Sequence, residues 1–121
     1  MKKVMIIDDE LDILDVLERF LTRKGKLKVE TYSNAESALK KLRAKHYDLI
    51  LSDIMMPLVS GIDILKEVKS FNPNSKIILM TAYSSQTKID ISEKFGIDEY
   101  IKKPFENLNE VEKKIYFLLG I

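Results

Sequence analysis

The sequence predicts an α/β domain built on a parallel sheet. Five short apolar runs alternate with five amphipathic stretches, the order that strand–helix–strand units leave in a sequence. The runs are Val4–Ile7, Leu27–Thr31, Leu49–Leu51, Ile77–Met80 and Tyr100–Ile101. VMII, LILS and IILM are apolar at successive positions. Strands covered on both faces read this way, so these three belong to the centre of a doubly wound sheet. LKVET alternates instead and is assigned to an edge.

Between the runs, apolar residues recur at helical spacing. Ile13, Leu17, Phe20 and Leu21 line a first helix. Ser33 followed by Glu36 forms a capping box that opens a second, with Ala38, Leu39 and Leu42 inside. Ile64, Leu65, Val68 and Phe71 mark a third, stopped before Pro73. A fourth is expected over 86–95, where Ile89 and Ile91 fall about 200° apart on the wheel and cannot share one narrow stripe. Leu108, Val111, Ile115, Leu118 and Leu119 mark a fifth, capped by Gly120.

The 121 residues amount to one domain, and no linker or repeat divides them, so a single domain over 1–121 is expected. Cysteine is absent and His46 is the one histidine. Thiolate catalysis, disulfides and histidine-rich metal sites are therefore excluded. Twenty basic residues against nineteen acidic give a net charge of +1, which argues against a polyanion-binding surface and direct nucleic-acid binding. The apolar run after Lys2 and Lys3 ends at Asp8, too early for a secretory signal. No run approaches a membrane span, so a cytoplasmic location is expected.

In open parallel sheets, ligands bind at the carboxyl ends of the strands. The first strand ends in Asp8 and Asp9, the third in Asp53, and the fourth in Thr81, while the fifth runs into Lys103–Pro104. Singly, each aspartate reads as a turn former or helix cap, Thr81 as a cap, and Lys103 as a solvated side chain. Together, three carboxylates are costly unless positive charge sits among them. An all-oxygen set with few protein ligands suits Mg²⁺ or Mn²⁺ rather than zinc. Such a cation would let Asp53 act as a nucleophile toward phosphorus, with Lys103 and Thr81 supplying donors to the phosphoryl oxygens.

These residues fall in IIDDE (Asp8, Asp9), DIMMPLVSG (Asp53, Pro57, Gly61), LMTAY (Thr81, Ala82) and DEYIKKPF (Tyr100, Lys103, Pro104). In that order and spacing, the whole chain resembles the receiver domain of two-component response regulators. The resemblance implies a sheet of order 2-1-3-4-5 with five helices around it. It implies Asp53 as the phosphorylated residue, and Asp9, Asp53 and the Met55 backbone carbonyl as direct metal ligands, with Asp8 acting mostly through water. Thr81, Ala82 and Lys103 would bind the phosphoryl group, and Thr81 and Tyr100 would form the switch.

A sensor histidine kinase or histidine phosphotransfer protein would donate the phosphoryl group. A target or output domain would dock on the face made by the fourth helix, fifth strand and fifth helix. The Lys103–Pro104 bond is expected to be cis, which lets Lys103 turn back over the site. Met55 and Tyr83 stand where water would have to be held for hydrolysis, and neither positions water well, so a long-lived aspartyl phosphate is expected. No linker begins after the fifth helix, which favours a stand-alone receiver over one cut from a longer regulator.

Three rival readings differ at named residues. A dehalogenase-like phosphohydrolase needs D-x-D after its first strand, where this chain has DDE. A flavodoxin-like FMN carrier needs a Gly/Ser/Thr loop there to cradle phosphate, and DDELD would repel it. A degenerate receiver, acting only in protein interaction, would have no need of Asp8, Asp9, Asp53, Thr81 and Lys103 together.

Overall fold

The computed structural model describes residues 1–53, 61–81 and 96–121, and in the third helix the side chains from Asp63 onward. The elements are β1 (Lys2–Ile7), α1 (Leu11–Thr22), β2 (Leu27–Tyr32), α2 (Ala35–Ala44), β3 (Leu49–Asp53), α3 (Gly61–Phe71), β4 (Lys76–Thr81), β5 (Glu99–Lys102) and α4 (Leu108–Leu119). All strand pairs are parallel, in the order β2-β1-β3-β4-β5. The fourth helix expected over 86–95 lies outside the described residues.

The continuous apolar strands have a direct cause. Successive side chains leave opposite faces of a sheet, and both faces are covered. Val4, Ile6, Leu49, Leu51, Ile78 and Met80 pack with Leu14, Leu17 and Leu21 of α1 and Val111 and Ile115 of α4. Met5, Ile7, Ile50, Ile77 and Leu79 pack with Ala38, Leu39 and Leu42 of α2 and Ile64, Leu65 and Val68 of α3. Each fully buried side chain of this size contributes roughly 1.5–3 kcal/mol. β2 is an edge strand, buried only at Leu27 and half-buried from Val29 onward, which is why its sequence alternates.

Several local expectations need correction. The stripe of α1 runs through Leu14, Leu17 and Leu21, and Ile13 and Phe20 flank it half-buried. The cap of α2 is Asn34, one residue after Ser33. Its Oδ1 accepts from the Glu36 and Ser37 amides at 2.8 and 3.2 Å, satisfying two of the free donors at the helix start. Asn34→Ala should therefore cost about 1 kcal/mol, read as a lower urea midpoint at unchanged slope. Phe71, placed on the buried face of α3, is 54% exposed. Gly120 ends α4 with φ +71, the left-handed conformation that glycine adopts without a steric penalty.

One buried charge joins the two ends of the described chain. Glu112, on the inner face of α4, accepts from both terminal nitrogens of Arg23 and from Lys24 Nζ at 3.0 Å. The hydrogen bond from Arg23 holds the Glu112 carboxyl below its ordinary range. The Arg23 guanidinium also stacks on the Phe20 ring, 3.7 Å from its centroid.

Candidate functional site

Register places the acidic residues at one level of the sheet. Ile7 of β1 pairs with Ser52 of β3, so Asp8 and Asp53 follow side by side at the carboxyl ends. The Asp8 amide donates to the Tyr32 carbonyl at 3.1 Å, which continues the β1–β2 pairing by one residue. On the other side, Thr81 pairs with Lys102, and the Lys103 amide donates to the Thr81 carbonyl at 2.8 Å. The Lys103–Pro104 peptide bond is cis.

From that backbone position the Lys103 side chain reaches across the ends of β4, β3 and β1. Its Nζ lies 2.8 Å from Asp8 Oδ2, 3.0 Å from Asp53 Oδ2 and 3.1 Å from Glu10 Oε1. Asp8, Asp53, Thr81 and Lys103 are all buried, whereas Asp9 and Glu10 are exposed at the mouth. The solvated-lysine reading of Lys103 is thus excluded.

Burial raises the Asp8 carboxyl above its ordinary value, and the hydrogen bond from Lys103 offsets only part of this. Burial alone would lower Lys103, but hydrogen bonds to Asp8 and Asp53 outweigh it and hold the ammonium above its usual range. The Lys103 ammonium therefore stays charged across the neutral range.

One ammonium does not balance the site. Asp8, Asp9, Glu10 and Asp53 each offer a carboxylate oxygen, and these oxygens lie within 4.8 Å of one another. The donor set is all oxygen, open on the Asp9 side and over-negative. It fits a hard divalent cation such as Mg²⁺ and offers nothing to a thiophilic metal.

The structure brings Asp8, Asp9, Asp53 and Lys103 together, with Thr81 on the same rim. Tyr100, on β5, is half-buried against the α2/α3 cluster. Met55, Ala82 and Tyr83 lie outside the described residues. Sequence reasoning gave Glu10 no role. The signal was the third acidic residue of DDE, which reads as an ordinary first-turn charge until Lys103 is seen to reach it.

A five-stranded, doubly wound sheet with a carboxylate cluster and a buried lysine at its carboxyl rim defines a class of small α/β proteins. Residues 4–116 match the model of the response regulator receiver domain, and the chain belongs to that family. It is 33% identical over 118 residues to the chemotaxis protein CheY of Thermotoga maritima, covering 93% of this chain and 98% of that one. To the transcriptional regulatory protein ZraR of Klebsiella oxytoca it is 37% identical over 103 residues, covering 85% of this chain and 23% of ZraR. The chain thus spans about a quarter of ZraR and nearly all of CheY. The crystal structure of the response regulator TrrA of Thermotoga maritima, a complex with Mg²⁺–BeF, superposes with a TM-score of 0.84. Its identity is 37%, over 98% of this chain and 99% of that one. Receiver domains are signalling domains of two-component systems. No described helix is long and apolar enough to cross a membrane.

Proposed function

We propose that this domain, over residues 1–121, accepts a phosphoryl group on Asp53 from a phosphohistidine of a sensor kinase or histidine phosphotransfer protein. The observation that carries this reading is the Lys103 ammonium, buried at 3.0 Å from Asp53 and 2.8 Å from Asp8. A carboxylate oxygen of Asp53 attacks phosphorus, the bond from phosphorus to the donor imidazole nitrogen breaks, and that nitrogen keeps the electron pair. Lys103 follows the phosphoryl oxygens with its ammonium, and the Thr81 hydroxyl and Ala82 amide donate to them.

Asp8, Asp9, Asp53 and the Met55 carbonyl would hold Mg²⁺ or Mn²⁺. Bound there, the cation supplies the positive charge that lets two anions approach each other. Phosphorylation adds roughly −1.5 to −2 charges, a strong acceptor that draws Thr81 inward and frees space for the Tyr100 ring. That movement would change the face made by residues 86–95, β5 and α4 toward a target or output domain, in the cytoplasm. Met55 and Tyr83 would set a slow loss of the phosphoryl group. The domain catalyses only its own modification.

Intact mass after treatment with acetyl phosphate tests the assignment. One phosphoryl group should be added with Mg²⁺ present, and none with chelator or in Asp53→Ala. Stable labelling of Asp53→Ala would refute it. An unlabelled wild-type chain would leave the interaction-only receiver as the better reading.

A further inference from the structure

Glu10 is spent in an unusual way. It occupies the N-cap of α1 with extended backbone, φ −89 and ψ 106, yet its side chain makes no capping hydrogen bond. Glutamate is not among the residues favoured there, and Asp, Asn or Ser would each satisfy a free amide. The longer side chain turns instead to the rim, where Oε1 accepts from Lys103 Nζ at 3.1 Å. The Glu10 amide meanwhile donates to Asp8 Oδ1 at 2.9 Å, so backbone and side chain both serve the site. Asp8 and Asp53 grip Lys103 from the buried side, whereas the Glu10 side chain is 61% exposed at the mouth.

We infer that Glu10 is a positioning residue for Lys103, holding its ammonium toward the mouth of the site, where phosphoryl oxygens enter. The inference rests on the proposed phosphoacceptor reading. Without Glu10, Lys103 settles between Asp8 and Asp53, the carboxylates a divalent cation must share, and stands back from the incoming group. With Glu10 it has a partner outside that position, and a divalent cation need not displace it entirely. Charge alone does not give this effect, because the reach of the glutamate side chain is what meets Nζ.

Two substitutions separate reach from charge. Glu10→Asp keeps the charge and is one methylene too short, and Glu10→Gln keeps the length and loses the charge. Asp12→Asn, a nearby exposed residue of α1, controls for net charge. Both Glu10 variants should slow Mg²⁺-dependent labelling by acetyl phosphate about three- to tenfold, between the weak worth of an exposed ion pair and the cost of a misplaced reacting group. Asp12→Asn should not. In the cation-free protein at fixed pH, the Lys103 ¹³Cε–¹⁵Nζ NMR signal should move in both Glu10 variants and stay in the control.

Folding is not the cause of such a change if the melting temperature of Glu10→Asp is equal or higher, as a better N-cap residue should make it. Wild-type rates in Glu10→Asp, or an unmoved Lys103 signal beside normal wild-type labelling, overturn the positioning role alone. A wild-type chain that takes no phosphoryl group removes the reaction, and this role with it.

Discussion

Lys103→Met should destabilise the cation-free protein by about 3 kcal/mol, the lower end of what removing one partner of a buried ion pair costs. Methionine matches the length of the lysine stem and packs adaptably, so the loss is mainly of charge. Lys103 bonds to Asp8 and Asp53, both buried, and without it two adjacent carboxylates face each other beneath the rim. The open mouth lets water temper the repulsion, hence the lower end. Urea melts in chelator read the loss directly. Millimolar Mg²⁺ should restore much of it by mass action on the folded state. Adding Asp53→Asn to Lys103→Met should also recover stability, a coupling that a double-mutant cycle isolates. A Lys103→Met protein as stable as wild type in chelator would mean that the ammonium does not balance these carboxylates.

Tyr47→Ala should cost about 3–5 kcal/mol, the range for deleting a buried aromatic ring. Tyr47 lies in the loop between α2 and β3 with 0% exposure, and its ring belongs to the α2/α3 cluster. Tyr47→Phe keeps the ring and should cost about 1–2 kcal/mol, because it removes one hydrogen bond to a charged group that is partly exposed. That bond runs from the Tyr47 hydroxyl to Glu30 Oε1 at 2.7 Å, and the Tyr32 hydroxyl donates to the same oxygen at 3.1 Å.

The Tyr47 bond is the main cause holding the Glu30 carboxyl below its ordinary value of 4.5, against the opposing effect of burial. A carboxyl lowered by folding contributes stability that is complete above 4.5 and disappears as pH falls through its folded value. Burial raises both phenols, so they stay protonated donors throughout. The gap between wild type and Tyr47→Phe should therefore be full at neutral pH and narrow in acid. Urea midpoints on either side of that range check it, and a gap that widens in acid would contradict the role of Glu30.

These two residues mark where the sequence was and was not legible. The strands could be read because Val4–Ile7, Leu49–Leu51 and Ile77–Met80 are short runs apolar at every position, as strands covered on both faces are. The rim could be read because carboxyl ends of neighbouring strands must come together, whatever the packing above them. Tyr47 carried no periodic signal, since it belongs to neither a strand nor a helix. Nothing in the sequence singled out Glu30 or Glu112, because their partners stand 17 and 89 residues away. Lys2 and Lys3 were missed as part of β1 because backbone pairing with Leu27 and Lys28 extends the strand without burying either side chain. On α1, Leu17 and Leu21 were read correctly, but Ile13 was taken where the structure buries Leu14, because both are apolar and only packing against the sheet and α4 cluster selects Leu14.

The Arg23–Glu112 contact gives the order of synthesis a physical meaning. A ribosome releases α1 about ninety residues before α4, the span of that hydrogen bond, and until then Leu14, Leu17 and Leu21 lack the cover of Val111 and Ile115. The nascent chain can close the α2/α3 side of its sheet early, since those helices lie between the strands they cover. On its other side α1 is already made, but the part of that face that Val111 and Ile115 cover stays open to water, and to neighbouring chains, until α4 emerges. Domains generally fold as units, and exposed apolar surface is what makes unfinished ones aggregate. The helix that closes this domain is thus the one that renders its first half safe to leave unattended.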